Sequence, residues 1–344
     1  MTPIRVAVVG YGLAGRVFHA PLVAAQPGME VAAVVTGDPV RAAAAAADHP
    51  GARVLPSADA LWDDPGAVDL VVVAAANRAH VPLAHAAIAA GLPVVVDKPL
   101  APDAARARAL VDAADAAGVM LTVFQNRRWD ADFLTARRLV REWALGAPVR
   151  FLSRFDRWRP EVNQDAWRER PDPEDAGGLL MDLGSHLIDQ AIVLFGPPVE
   201  VHGELGRRRP GAEVDDDVFV SLVHETGVRS HLGATMLAAL PGPRMRLTGQ
   251  AGEWEVRGLD PQEAALRGGA RPGDPGFGEV PESDWGMLSG GDAPRRVPSA
   301  RGDYSAFYAG VARALREGGP PPVDPRDAVR TLEVIDAVRS RPGG

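Results

Sequence analysis

Ile4-Arg5-Val6-Ala7-Val8-Val9-Gly10-Tyr11-Gly12-Leu13-Ala14-Gly15 is the stretch that decides the fold. Six residues of strand character run into three glycines spaced G-x-G-x-x-G, and an Ala-rich helical pattern over 14–25 follows at once. Gly10 permits a tight turn, Gly12 lets the backbone approach a pyrophosphate, and Gly15 lets the helix pack close to the strand. The N–H groups at the start of that helix, around Leu13 and Ala14, offer a positive dipole end to phosphates. A glycine turn alone is common. In this strand–turn–helix context it points to dinucleotide binding by Gly10, Gly12, Leu13, Ala14 and Gly15.

Outward from this stretch, short apolar runs at 30–35, 70–75, 93–96 and 119–124 read as further strands. Helical patterns at 40–47, 81–90 and 103–117 lie between them, the last ended by Gly118. Continuously apolar strands joined by helical crossovers predict a doubly wound α/β parallel sheet covered on both faces, over residues 1–124. From 125 to 344 the character changes. A helix is expected at 130–142, a long strand at 148–158, and a helix at 179–195 opened by Gly177-Gly178. Period-two strands follow at 199–205, 217–224, 228–236, 244–249 and 253–257. This predicts an α+β domain with an open, mainly antiparallel sheet. Residues 259–302, dense in Gly, Pro and charge, read as a long, partly disordered surface excursion. Helices at 304–316 and 327–339 close the chain and are placed to pack back on the first domain.

The length of 344 residues suits two such domains. The absence of cysteine excludes disulfides and thiolate chemistry, and a net charge of −8 argues against nucleic acid or an anionic membrane. No apolar run approaches the ~20 residues of a membrane span, and the first strand follows the N-terminus without a leader pattern. The expectation is a cytoplasmic protein with a small-molecule substrate.

Of the 37 basic residues, Lys98 is the sole lysine. An amine can be tuned to give up its proton where a guanidinium cannot, so a lone lysine among arginines is a candidate for chemistry. Asp97-Lys98-Pro99 follows the strand 93–96, on the edge that carries the glycine loop. Asp97 there is set either to orient the ammonium or to contact a nicotinamide ribose.

Thr36 stands at the end of the second strand, where an acid would select NAD, and Arg41 follows. Both can contact a 2′-phosphate, which favours NADP; a displaced Asp38 leaves NAD open, or else caps the next helix. Asn77 and His80 follow the strand 70–75 and are candidates for cofactor contact, or are turn and cap residues. On the nearly all-apolar helix 179–195, Asp182, Ser185, His186 and Asp189 fall on one stripe. A buried carboxylate and imidazole one turn apart suit general base catalysis, or form a structural pair. No third ligand at metal-binding spacing accompanies them. Asn126, Arg127, Trp158 and Arg159 lie at strand ends and are candidates for substrate contact, against core packing for the Trp and ion pairs for the Arg residues.

Taken together, these motifs resemble the Gfo/Idh/MocA family of nicotinamide-dependent oxidoreductases over essentially the whole chain. GYGLAGRVFHAPL is similar to its dinucleotide loop, Asp97-Lys98-Pro99 to its Glu-Lys-Pro motif, and Gly177-Gly178 through His186 to its Gly-Gly…Asp…His helix. VFQNRRWDADFLT and FDRWRP are similar to the branch with NADP-dependent scyllo-inositol dehydrogenases. Asp97 in place of the commoner Glu and the length of 259–302 are departures. The resemblance implies a catalytic group of Lys98, Asp182 and His186, a sheet face used for a homodimer or homotetramer, and hydride transfer between NADP or NAD and a secondary alcohol or ketone of a cyclic polyol or sugar. Two alternatives stay open: a dinucleotide-binding sensor without turnover, and a redox-neutral enzyme that cleaves glycosides through transient oxidation.

Overall fold

The computed structural model describes residues 2–340. The chain divides into two compact units that interleave in sequence. One holds the chain up to Asn126 with Glu263–Phe277 and Tyr304–Val329; the other holds Arg127–Gln262, Gly278–Asp303 and the residues from Arg330. The sequence reading draws one boundary, at 124/125; the units are assembled from three stretches each.

The first unit is built on six parallel strands: β1 (Ile4–Val9), β2 (Met29–Val35), β3 (Arg53–Leu55), β4 (Leu70–Val73), β5 (Val94–Asp97) and β6 (Leu121–Phe124). Their order is β3-β2-β1-β4-β5-β6, so the winding reverses between β1 and β4. Val6, Ala7 and Val8, Val71 to Val73 and Val94 to Val96 have no accessible surface, as expected for strands covered on both faces. Each fully buried valine contributes ~1.5–3 kcal/mol of apolar burial. The pairings Val9 with Val35, Val9 with Val73 and Val73 with Val96 align the carboxyl ends of four strands in one row. The next residues along, Gly10, Thr36, Ala74 and Asp97, therefore share an edge. At three residues, β3 is too short to show periodicity, and the sequence reading missed it; its Leu55 carbonyl accepts the Thr36 N–H at 2.9 Å.

In the second unit, eight strands form a largely antiparallel sheet: β7 (Pro148–Asp156), β8 (Pro198–Gly206), β9 (Asp217–His224), β10 (Arg229–Thr235), β11 (Met245–Gly249), β12 (Gly252–Val256), β13 (Met287–Ser289) and β14 (Arg295–Arg296). The order is β14-β13-β12-β11-β7-β10-β9-β8, with β7 and β10 parallel. One face packs against the helix Ser185–Phe195, whose Phe195 ring lies 5.7 Å from that of Phe151. The other face leaves Phe219 exposed, its ring 6.0 Å from that of His231.

The expectation of a partly disordered excursion at 259–302 is corrected here. The segment forms a helix, Gln262–Arg267, and adds β13 and β14 to the sheet edge, with Leu288 opposite Trp254. The Gly302 N–H closes its base on the Gly278 carbonyl at 2.8 Å. Strands of three and two residues in a Gly/Pro-rich background carry too little pattern to be read.

Between β7 and the helix at 180 the chain makes a long strap, residues 157–178, and one buried cation holds it. Arg209 donates from Nε to Asp216 (2.9 Å), from Nη2 to Glu169 (2.8 Å) and from Nη1 to the carbonyls of Arg159 and Glu161 (3.4 and 3.3 Å). All three charged side chains are buried. Arg209→Met is expected to leave Glu169 and Asp216 buried without their cation, at a cost of ~3–5 kcal/mol. Guanidinium unfolding followed by tryptophan fluorescence would show this as a lower midpoint.

Candidate active site

The glycine loop is constrained by the backbone at two of its three glycines, Gly10 and Gly15. Gly10 has φ +99°, and a Cβ on it would lie 2.6 Å from the Ala74 carbonyl oxygen. A Cβ on Gly15 would lie 1.9 Å from the Gly10 carbonyl oxygen, so the helix approaches the strand as only glycine allows. At Gly12 the nearest group to an added Cβ is the Arg41 guanidinium, at 3.7 Å. The loop is tied from the side: the Tyr11 hydroxyl and Arg16 Nε both donate to Asp48, at 3.0 and 2.9 Å. A π-wound turn, Ala14–His19, then leads into the α-helix Ala20–Ala25. An open glycine edge at the switch point of a parallel sheet, below a helix N-terminus, fits a dinucleotide pyrophosphate.

At the end of β2, Thr36 is buried and its hydroxyl accepts a long contact from the Asp38 N–H (3.4 Å). Asp38 caps the helix Pro39–Asp48: its Oδ1 accepts from the N–H groups of Val40 (2.8 Å) and Arg41 (3.0 Å). Its Oδ2 faces Arg41 Nε at 3.7 Å. The carboxylate is thus engaged with its own helix, while the Arg41 side chain, 55% exposed, leans over Gly12.

Beyond β4 and β5 lie Asn77, His80, Asp97 and Lys98. Asn77 opens a short 3-10 turn and is partly exposed. His80 is buried, with Nδ1 2.7 Å from the Pro99 carbonyl and Nε2 3.1 Å from the Ala75 carbonyl. Burial holds this imidazole below its usual range, so the neutral ring has a single N–H and donates to one of these two carbonyls. Lys98 is half-buried, and its N–H donates to Asp97 Oδ1 at 2.9 Å. Two groups here escaped the sequence reading: His19, on the first helix, and Tyr308, on the helix Ser305–Glu317. His19 sits on an apolar helix face, and its partner is 289 residues away, so no local signal marks it.

In the second unit the polar stripe resolves into separate tasks. Leu180–Gly184 is wound as a π-turn before the α-helix Ser185–Phe195, which alters the angular step after Asp182. Ser185 donates to the Met181 carbonyl (2.7 Å), and Asp189 is clamped by Arg128 through two hydrogen bonds of 2.8 and 2.6 Å. Asp182 and His186 remain as the candidates for chemistry, with His186 buried. Asp182 lines a recess with Arg168, Glu169, Arg209, Asp215 and Met236. Asp215, which the sequence reading missed, accepts the Leu180 N–H at 2.6 Å and so caps the turn that carries Asp182; burial pushes its carboxyl up.

Among the substrate candidates, Arg127 is buried, donates to Asp130 (3.2 Å) and lies 4.9 Å above the Phe155 ring. Asn126 is buried at the start of a 3-10 turn. Trp158 is 57% exposed, so its ring is not core, and Arg159 is exposed with its N–H on the Met236 carbonyl.

Residues 4–125 match an oxidoreductase family with an NAD-binding Rossmann fold, and residues 133–255 match the GFO/IDH/MocA C-terminal domain. The chain is 40% identical to the uncharacterized oxidoreductase YdgJ of Escherichia coli, over 97% of this chain and 94% of that protein. It is 36% identical to the scyllo-inositol 2-dehydrogenase (NADP(+)) IolW of Bacillus subtilis, over 97% of this chain and 92% of that one. Among solved structures, an oxidoreductase from Bacillus cereus superposes with a TM-score of 0.88 at 26% identity, covering 98% of this chain and 96% of that one. The glycine loop at the switch point, the lysine ending β5 and the Asp–His helix are thus carried by a member of the GFO/IDH/MocA oxidoreductase family.

Proposed function

We propose that this chain is an NADP-preferring dehydrogenase that moves a hydride between the nicotinamide and a secondary alcohol or ketone of a cyclic polyol or sugar. The observation that carries the reading is Lys98: the only lysine of the chain lies half-buried at the carboxyl end of β5, on the edge that bears the glycine loop. The name of the IolW relative, similar over nearly the full length, supports the polyol class and the phosphorylated cofactor. The NADP preference also rests on Thr36 in place of an acid, on Asp38 engaged as a helix cap, and on Arg41 beside Gly12.

When bound, the nicotinamide supplies the hydride acceptor for alcohol oxidation and the hydride donor for ketone reduction. His186 takes the hydroxyl proton as the C–H hydride leaves, since an imidazole titrates near neutrality. Asp182 orients that imidazole and stabilises its charged form. The Lys98 ammonium donates a hydrogen bond to the developing alkoxide. In the reverse direction the same groups protonate the reduced carbonyl oxygen. Trp158 and Arg159, on the strap held by Arg209, contact substrate hydroxyls. A second copy of the chain is placed against the open sheet face, where Phe219 is exposed.

The test is nicotinamide absorbance with NADP or NAD and a panel of inositols, pyranoses and sugar acids. Reduction of NADP by one polyol class is expected, and Lys98→Ala and His186→Asn are each expected to lower turnover by ~10²–10³-fold. Cofactor binding without net reduction on any polyol, together with glycoside cleavage, would move the chain to the redox-neutral reading. For cofactor choice, Arg41→Ala is expected to weaken NADPH binding by roughly 10-fold or more, as for loss of a charged hydrogen bond, and to leave NADH nearly unchanged. An equal loss for both, read by fluorescence titration, would remove Arg41 from the 2′-phosphate.

A further inference from the structure

Behind the carboxyl end of β5 lies a buried polar group that the proposed hydride transfer does not use. His19 and Tyr308 have no accessible surface, and His19 Nδ1 is 2.6 Å from the Tyr308 hydroxyl. The imidazole is wedged against Phe124, with ring centroids 4.4 Å apart, and Phe124 in turn meets Phe307 at 5.0 Å. The neighbouring helix positions that are also buried, Ala20, Leu22 and Val23, are apolar. An imidazole in such surroundings is costly unless its nitrogens meet polar partners. Its second nitrogen, Nε2, faces Asp97 Oδ1 at 3.7 Å. That oxygen also accepts the Lys98 N–H, and the Asp97 side chain, 19% exposed, reaches the surface.

We propose that His19, braced by Tyr308, is a positioning residue for Asp97, holding its carboxylate at the β5 edge to receive a ribose hydroxyl of the nicotinamide half of the cofactor. The inference rests on the cofactor reading given above. With its proton on Nε2, the ring presents an N–H to the carboxylate and accepts the Tyr308 O–H on Nδ1. Burial, with the charge of Asp97 added, pushes the Tyr308 phenol well above its usual range, so the hydroxyl keeps the proton it donates. Burial alone would raise the Asp97 carboxyl; His19, with the charge of Lys98, outweighs it and holds the group below the ordinary carboxylate range. Among the described residues, the titratable groups facing Asp97 are His19 and Tyr308 from two helices, His80 from a third and Lys98 next in sequence.

The sign follows. Asp97 stays ionised down to acid pH in the wild type, and without the His19 ring its carboxyl takes up a proton at higher pH. The experiment is fluorescence titration of the full-length chain with NADPH from pH 5 to pH 8. Wild type, His19→Gln, Tyr308→Phe and Asp97→Asn are compared, and each affinity is divided by that of the wild type at the same pH to cancel the ligand's own ionisation. For His19→Gln this ratio is expected to fall progressively from pH 8 to pH 5, because its carboxyl takes up a proton over a range in which that of the wild type stays ionised. Tyr308→Phe keeps the ring packing and should shift the same limb by less, and Asp97→Asn should bind weakly at every pH with a flat ratio. A loss of affinity in His19→Gln that does not change with pH would overturn the inference, because a merely structural histidine gives that result. Wild-type binding by Asp97→Asn would instead remove Asp97 from the cofactor and overturn the reading beneath it.

Discussion

The contact on which the first unit turns is the approach of Gly15 to the Gly10 carbonyl, so close that a single added carbon would overlap the oxygen. That approach sets the helix N-terminus directly over the end of β1, and every other group on the edge takes its place relative to it. The row of Val9, Val35, Val73 and Val96 brings the exits of four strands level. Because those strands are dry on both faces, they cannot slip without driving a polar residue into the interior. The valines contribute stability, and as a consequence of the same packing they fix where Thr36, Asp97 and Lys98 emerge.

The second unit solves a different problem. Its strap has few apolar residues with which to hold itself, and it is fixed instead by buried charge. Arg209 satisfies two carboxylates and two carbonyls at once, and Asp215 takes the first free N–H of the turn that carries Asp182. Such arrangements add little net stability over apolar packing, but they are intolerant of rearrangement, because any displaced member is left charged and dry. A polar strap is thereby kept in one conformation by buried charge.

How far the chain could be read depended on the range of the interactions. The glycine loop, the apolar strands and the Asp38 cap are each decided within a few residues, and they were legible. The polar stripe was legible only as a stripe. Asp189 is accounted for by Arg128, 61 residues distant, and Ser185 by its own helix backbone, and neither partner could be inferred from spacing. His19 was invisible for the same reason, since a histidine on an apolar face has no meaning until Tyr308 arrives from the far end of the chain. Leu288 found its place only because Trp254 offered a strand edge to a three-residue segment.

The solitary amine at the end of β5 has a practical consequence. In most enzymes amine-directed reagents scatter over a surface of lysines. Here every other basic side chain except histidine is a guanidinium. Acylating dyes, aldehyde fixatives and activated resins have one side-chain target besides the α-amino group, and it lies on the cofactor edge. A single covalent label at Lys98 would act as a built-in gauge of that edge, its accessibility reporting occupancy without any engineered handle.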